Sequence, residues 1–492
     1  MESYVEQVIR EIKASAKSVS AIHSGAGLSS GNAVEGEVTK RLRDPGTLSS
    51  LLPPPHPPHP PPHPPPHSPP PSPPPSPPPS PLRTIHFGGG TPSLLPPDLL
   101  SRLVGTLRRT YGLAPDAEIC MEADPGTFDE ARLRAWVEGS GVTRLSVGCQ
   151  AFDEKLLTAC GRSHSLADVY DAVDAVKRVG LENWSLDLIS GLPGQTLNSW
   201  HHSLSEAIRL GPSHVSVYDL QVEKGTAFGR WYSPGRSPLP PDDLSADMYR
   251  EASRQLRAAG YAHYEVSNYA KPGFESRHNR AYWTNVPYLG FGLGAASYVA
   301  RKRFVRPRTW DEYGEWVGKY EASVGVIDWP EDSREEELLD TVMLGLRLRE
   351  GLGMPELASR FGNEAAVVVG RELLKFVEAG LVEVVKVVQG LQGVEWGDGS
   401  KEVMGGEYVR GLEQQLDVII AHGKERVPPV QGAGNGGEGV RVIGGACAGG
   451  GSKGGGGGHV SWELDGLRIR LTDPEGFLVS NDVISSVFEA IG

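Results

Sequence analysis

The residue types able to do chemistry in this 492-residue sequence gather at the ends of successive apolar runs. Gly88-Gly89-Gly90-Thr91-Pro92 follows "LRTIHF". Glu122, Asp124, Pro125 and Gly126 close "AEICMEA". Gln150 ends "VTRLSVGCQ", with Arg162 one loop further on, and Asp187 lies in "NWSLDLIS", just before "GLPGQT". Glycine backbone can bind an amino and a carboxyl group, Arg162 a carboxylate, and Glu122 or Asp187 an ammonium or ribose hydroxyls. The set suits a zwitterionic ligand with hydroxyls. It is not a Walker phosphate loop, because no Gly-Lys-Ser/Thr follows the glycines, and it is not GxGxxG. Plain alternatives are a tight turn for the glycines, a cap for Glu122 and a buried carboxylate with a backbone partner for Asp187.

Cys120, Cys149, Cys160 and Cys447 form no CxxC or CxxxC pair, so no metal or cluster ligand set can be read from their spacing. Scattered thiols suit a reducing compartment. The net charge of −13 argues against nucleic acid or an anionic membrane as the main partner. No apolar run approaches the roughly 18 residues of a membrane helix.

The elements that must position these residues alternate. Strands are expected at 82–87, 117–123, 142–150, 183–190 and 214–222. Helices lie between them, among them one with Leu99, Leu100, Leu103 and Leu107 as its stripe and one over 165–180. Such alternation argues for parallel βα units closing as part of a barrel, whose ligand site lies at the C-terminal strand ends. An amphipathic helix with Val5, Val8, Ile9 and Ile12 on one face opens the chain. From about Thr309 the texture turns helical, ending in a strand and helix over 467–491. That suggests a small α+β, winged-helix-like C-terminal domain. Two biased blocks interrupt the chain. Pro53–Pro81 is proline-rich, extended, and carries His56, His59, His63 and His67; a solvated insertion is favoured over a metal stripe. Gly390–Gly458 is glycine-rich and reads as a disordered insertion. The expected organisation is a first helix over 1–16, an insertion over 17–82, a barrel core over 83–308, and a C-terminal domain over 309–389 and 459–492, split by residues 390–458.

"FGGGTPSLL", "MEADPGTF", "RLSVGCQAFDEKLLTACGRSHS", "DLISGLPGQT", "HYEVSNYAKPGFESRHNRAYW" and "YLGFGLGAASY" occur in this order. Together they resemble the HemN/HemW family of radical S-adenosylmethionine (SAM) proteins, over about residues 83–300 continuously. The resemblance implies a partial (β/α) barrel holding SAM beside a 4Fe-4S cluster. Gly89, Gly90 and Thr91 would line the methionine end of SAM, and Glu122, Gln150, Arg162 and Asp187 would complete the pocket. "HNRAYW" matches HNxxYW of the heme chaperone branch, which makes His278, Asn279, Tyr282 and Trp283 candidate heme residues. A histidine beside aromatics can ligate heme iron and stack on the macrocycle. The alternative is that these residues pack the barrel mouth and His278 bonds a backbone carbonyl.

One departure matters. The family carries CxxxCxxC upstream of GGGTP, on the loop after its first barrel strand, and this sequence contains no such motif. Its opening helix resembles the first helix after that loop. The chain as written is therefore expected to lack the first barrel strand and the cluster ligands, either through a missing upstream exon or through real loss. Cys120 and Cys149 read as buried structural thiols. The expected function is that of a heme chaperone, passing heme to a recipient protein. Alternatives are an oxygen-independent coproporphyrinogen III oxidase of porphyrin biosynthesis, or an inactive scaffold. By resemblance the location is a mitochondrion or chloroplast, or the cytoplasm if the chain is untargeted.

Overall fold

A computed structural model describes residues 1–23, 81–326, 329–387, 401–403 and 467–491. The four-histidine proline tract and most of the glycine-rich block lie outside the described residues. The opening helix, α1, spans Glu2–His23, past the residue 16 expected. Its apolar face is buried as the spacing requires, with Val5 and Ile12 each 1% exposed.

Five strands run parallel in sequence order: β1 Leu82–Phe87, β2 Leu113–Ala123, β3 Arg144–Gln150, β4 Trp184–Ser190 and β5 His214–Asp219. The sheet continues antiparallel through β7 Asn268–Ala270 to β6 Ala262–Glu265. The helices between the parallel strands are α2 Pro97–Tyr111, α3 Glu130–Arg134 with a π-helical extension Ala135–Ser140, α4 Glu154–Ala159, α5 Leu166–Val179 and α6 Leu197–Leu210. Their starts are written in the sequence. Ser165 and Asp168 form a capping box on α5, Thr196 and Ser199 another on α6, and Pro97 opens α2. Leu99, Leu100, Leu103 and Leu107 of α2 are all buried. The result is a half-barrel: a twisted, mostly parallel sheet covered by helices, with one continuous core.

After β5 come α7 Ala227–Trp231, α8 Asp242–Ala258, the short helix α9 Arg277–Trp283, the hairpin β8 Ala296–Val299 and β9 Lys302–Val305, and α10 Trp310–Ala322. Tyr313 and Val317 of α10 belong to the same core as α1 and the sheet. A second core forms around α11 Arg334–Leu346, α12 Met354–Phe361, α13 Asn363–Leu374 and the closing helix Ser480–Ile491. It includes an antiparallel sheet of β10 Leu352–Gly353, β11 Val382–Val387, β12 Lys401–Val403 and β13 Leu467–Leu471, in the order β10-β13-β11-β12. This is a small α+β unit. β12 falls inside the expected glycine-rich insertion yet pairs with β11, where Val403, its one strand-favouring residue, stands opposite Val385.

A buried ion pair fastens α1. Glu11 and Arg306 are fully inaccessible, with Glu11 Oε1 accepting from Arg306 Nε at 2.7 Å. The second oxygen accepts from the Tyr313 hydroxyl at 2.6 Å and from the Gly292 N–H at 3.0 Å. The guanidinium also lies over Phe304 and Trp316. Breaking one side of such a pair leaves a buried charge. Glu11→Gln is therefore expected to cost about 3–5 kcal/mol in urea unfolding, with faster amide exchange along α1.

Glu265 marks the join between the two cores. It is fully buried on β6, bridges Leu348, and accepts hydrogen bonds from Asn268 and the Ser267 N–H. Burial raises it from 4.5 to about 7, against the opposing pull of Asn268, Ser267 and Arg347. The folded protein then holds a proton that the unfolded chain releases, so stability falls as pH rises from about 4.5 to 7. Glu265→Gln is expected to flatten that fall, worth on the order of a few kcal/mol, when urea midpoints at pH 5 and pH 8 are compared with wild type.

Candidate functional site

The parallel strands end at one rim, and the polar residues there are tied to one another. Gly89 donates its N–H to Glu122 Oε2 at 3.1 Å. The other oxygen of Glu122 meets His86 Nε2 at 2.9 Å. Desolvation works to raise Glu122, but His86 and the Gly89 N–H outweigh it and hold the carboxyl below its usual range. Thr91 Oγ1 donates to Asp124 Oδ2 at 3.3 Å, and Arg162 donates to Asp124 Oδ1 at 3.2 Å. Gln150 is buried and takes a φ of 71°, where the β3–β4 register shifts. That turn brings its amide nitrogen and the Asp124 carboxylate against Gly148: a Cβ there would lie 2.9 and 3.0 Å from them. Gly89, Thr91, Glu122, Gln150 and Arg162 thus converge, with Asp124 as a shared partner for two of them.

Asp187 sits one strand over. Its carboxylate accepts from Ser146 at 2.8 and 3.0 Å and from Ser185 at 3.1 Å. Burial raises it above the usual carboxylate range, against these hydroxyls. Gly89 and Gly90 have φ of 80° and 62° with open space where a side chain would stand. That open backbone, flanked by carboxylates and an arginine, fits the amino-acid end of SAM. Cys120 and Cys149 are buried, and no group of three His, Cys, Asp or Glu suited to a metal occurs among the described residues. Burial pushes the Cys149 thiol above its usual range, which leaves it a structural group.

The HNRAYW motif forms α9, capped by Ser276, whose hydroxyl accepts from the Asn279 N–H at 3.2 Å. Its residues divide between two faces. His278 and Tyr282, four apart, face β1 and each other, with His278 Nε2 and the Tyr282 hydroxyl 3.0 Å apart. The bond to a backbone carbonyl considered for His278 is not what forms: Nδ1 pairs with Thr84 Oγ1 at 3.0 Å. Trp283 turns the other way, under the Arg347 guanidinium at 5.8 Å. There it lines a cavity of about 220 Å³ shared with Leu352, Leu357 and Phe361 of the C-terminal unit.

Sequence reasoning missed Thr84, His86 and Glu118. The His86 and His278 rings stack, centroids 4.8 Å apart at 12°. Burial first, then His86, lowers His278 to about 3, so its imidazole is neutral at physiological pH. Burial opposes a charge on His86, yet Cys120 and Glu122 outweigh it and raise that ring above the usual imidazole value. Glu118, also buried, accepts the His278 N–H at 3.2 Å. The period-two alternation of β1 was the available signal, because it puts Thr84, His86 and Gly88 on one face. Gly88 is a glycine for that reason: a Cβ would stand 2.6 Å from His86 Nε2 and 2.8 Å from Glu122 Oε1. Gly88→Ala is expected to part that pair and to cost about 1–3 kcal/mol in urea unfolding.

Comparison with known proteins agrees with this geometry. The Radical SAM superfamily model matches residues 78–207, and the HemN C-terminal domain model matches residues 332–385. The heme chaperone HemW of Synechocystis is 46% identical over 288 residues, which cover 58% of this chain and 70% of the relative. HemW of Bacillus subtilis is 37% identical over 302 residues, covering 61% and 79%. The bovine mitochondrial radical S-adenosyl methionine domain-containing protein 1 is 38% identical over 214 residues, covering 44% and 48%. Among solved structures, the coproporphyrinogen III oxidase HemN of Escherichia coli, a radical SAM enzyme, superposes with a TM-score of 0.53 at 22% identity, covering 68% of this chain and 78% of that one. The half-barrel, its glycine-lined rim and these relatives lead to one conclusion: the chain belongs to the HemN/HemW family of radical SAM proteins.

Proposed function

We propose that the protein binds heme through α9 and passes it to a recipient protein, with SAM held at the neighbouring rim. The observation that carries this reading is His278. Its imidazole is neutral, held at Nδ1 by Thr84, and points Nε2 at a tyrosine 39% exposed at the mouth of the barrel. A neutral imidazole nitrogen whose partner is a movable side chain is a usable iron ligand. Tyr282 has only to swing aside, and its own ring packs edge-on to Tyr288 at 4.6 Å. Asn279 and Trp283 act here through position: Asn279 in the first turn of α9, Trp283 as its anchor on the C-terminal unit.

For SAM, Gly89 and Gly90 offer backbone to the methionyl end, with Thr91 at the turn. Glu122 and Arg162 carry the charges that face an ammonium and a carboxylate, and Gln150 and Asp187 complete the rim. In the family, SAM beside a reduced 4Fe-4S cluster supplies a radical, and the protein positions and shields it. The sequence given contains no CxxxCxxC motif to hold that cluster. Relatives 34–46% identical are named heme chaperones, which favours a carrier over a coproporphyrinogen oxidase. A mitochondrial location belongs to the same reading, supported by the name of the bovine relative.

Heme titration followed at the Soret band tests the assignment. His278→Ala is expected to weaken binding at least about tenfold, the equivalent of 1.4 kcal/mol. Tyr282→Phe is expected to retain binding, because the tyrosine hydroxyl must leave Nε2 in any case. Heme binding by His278→Ala equal to wild type would remove α9 from the function.

A further inference from the structure

The heme helix and the glycine rim are joined through the side chain of His86. His86 lies on β1, two residues before Gly88, and faces the barrel interior beside Thr84. Its Nε2 meets Glu122 Oε1 at 2.9 Å, and the other oxygen of that carboxylate accepts the Gly89 N–H at 3.1 Å. Its ring lies flat against His278, at 4.8 Å and 12°. The remaining nitrogen, Nδ1, is buried and makes no well-formed hydrogen bond; the Cys120 thiol, across the β1–β2 pairing, is a weak partner for the ring. The ring is therefore held by its bond to Glu122, by the stack on His278 and weakly by Cys120. A thiol holds an imidazole less firmly than a carboxylate does, so the ring follows Glu122, and Gly88 keeps open the space in which it sits.

We propose that His86 is a positioning residue that couples the two ligand sites. A ligand engaging the Gly89 backbone and Glu122 redirects the His86 ring, and the stacked His278 ring with it, so occupancy of the rim sets how well His278 meets heme iron. This rests on the heme-binding reading above and adds to it a route of regulation. Such coupling is reciprocal: heme held by His278 must alter affinity at the rim by the same factor. The route is contiguous, running from Gly89 through Glu122 and His86 to His278 and Tyr282. Glu122 makes no hydrogen bond to His278, so any effect of changing it on heme passes through His86 or acts directly as charge.

A double-mutant cycle separates these possibilities. The full chain is titrated with heme as wild type, Glu122→Gln, His86→Phe and the double variant. Soret position and dissociation constant are recorded for each, and far-UV circular dichroism establishes folding. Phenylalanine keeps the stack and removes the tie to Glu122; His86→Asn is the second variant should the phenylalanine disturb folding. Glu122→Gln is expected to shift the heme dissociation constant about threefold or more and to move the Soret band. In the His86→Phe background the same change is expected to do nothing. An equal effect of Glu122→Gln with and without His86 would overturn the proposal, as would no effect in either. If His278→Ala binds heme like wild type, the heme-binding reading itself fails. If His278→Ala loses heme while the cycle shows no coupling, only the role of His86 falls.

Discussion

The rim depends on how one carboxylate, Glu122, divides its two oxygens. One fixes the turn through the Gly89 N–H, and the other fixes the His86 ring. Parallel strands deliver polar groups to a common edge, and they arrive there without partners. A bare carboxylate at such an edge would be costly to desolvate. Here each is provided for locally: Glu122 by a backbone N–H and an imidazole, Asp124 by Thr91 and Arg162, and Asp187 by the hydroxyls of Ser146 and Ser185. The rim is preorganised before any ligand arrives, and the open backbone at Gly89 and Gly90 remains as the place for one.

The same economy shapes α9. α9 has only seven residues and no fully buried side chain of its own, so apolar packing alone holds it weakly. It is held by polar contacts at its start: Ser276 caps it, and Glu118 takes the His278 N–H. Its far end is held by the stack of Arg347 on Trp283. A helix fastened at its ends and loose along its exposed face suits a binding element, because the face can reorganise without unfolding the scaffold.

Much of this was legible in the sequence because the signals were local. The leucine stripe of α2 and the glycine turns each depend on residues within a few positions of one another. The strand-end rule expected Glu122, Gln150 and Asp187 on neighbouring strands, and β2, β3 and β4 carry them. What was not legible depends on distance along the chain. Thr84 reaches His278 across 194 residues and Glu118 reaches it across 160. No periodicity encodes such meetings. The length of α1 was also underestimated, since "KSVSAIH" lacks a continued apolar stripe while still permitting helix. Strand β12 was hidden by composition, as its three residues lie in a glycine-rich stretch.

The Glu11–Arg306 pair also governs when α1 can be completed. Glu11 meets Gly292, Arg306 and Tyr313 across about three hundred residues. On a ribosome, α1 can lie against α2 early, where Arg102 reaches Glu6, but its carboxylate stays without those partners until Tyr313 has emerged. Only then can the buried pair close. Closure of the pair thus reports that the segment carrying His86, Glu122 and His278 has been synthesised in full.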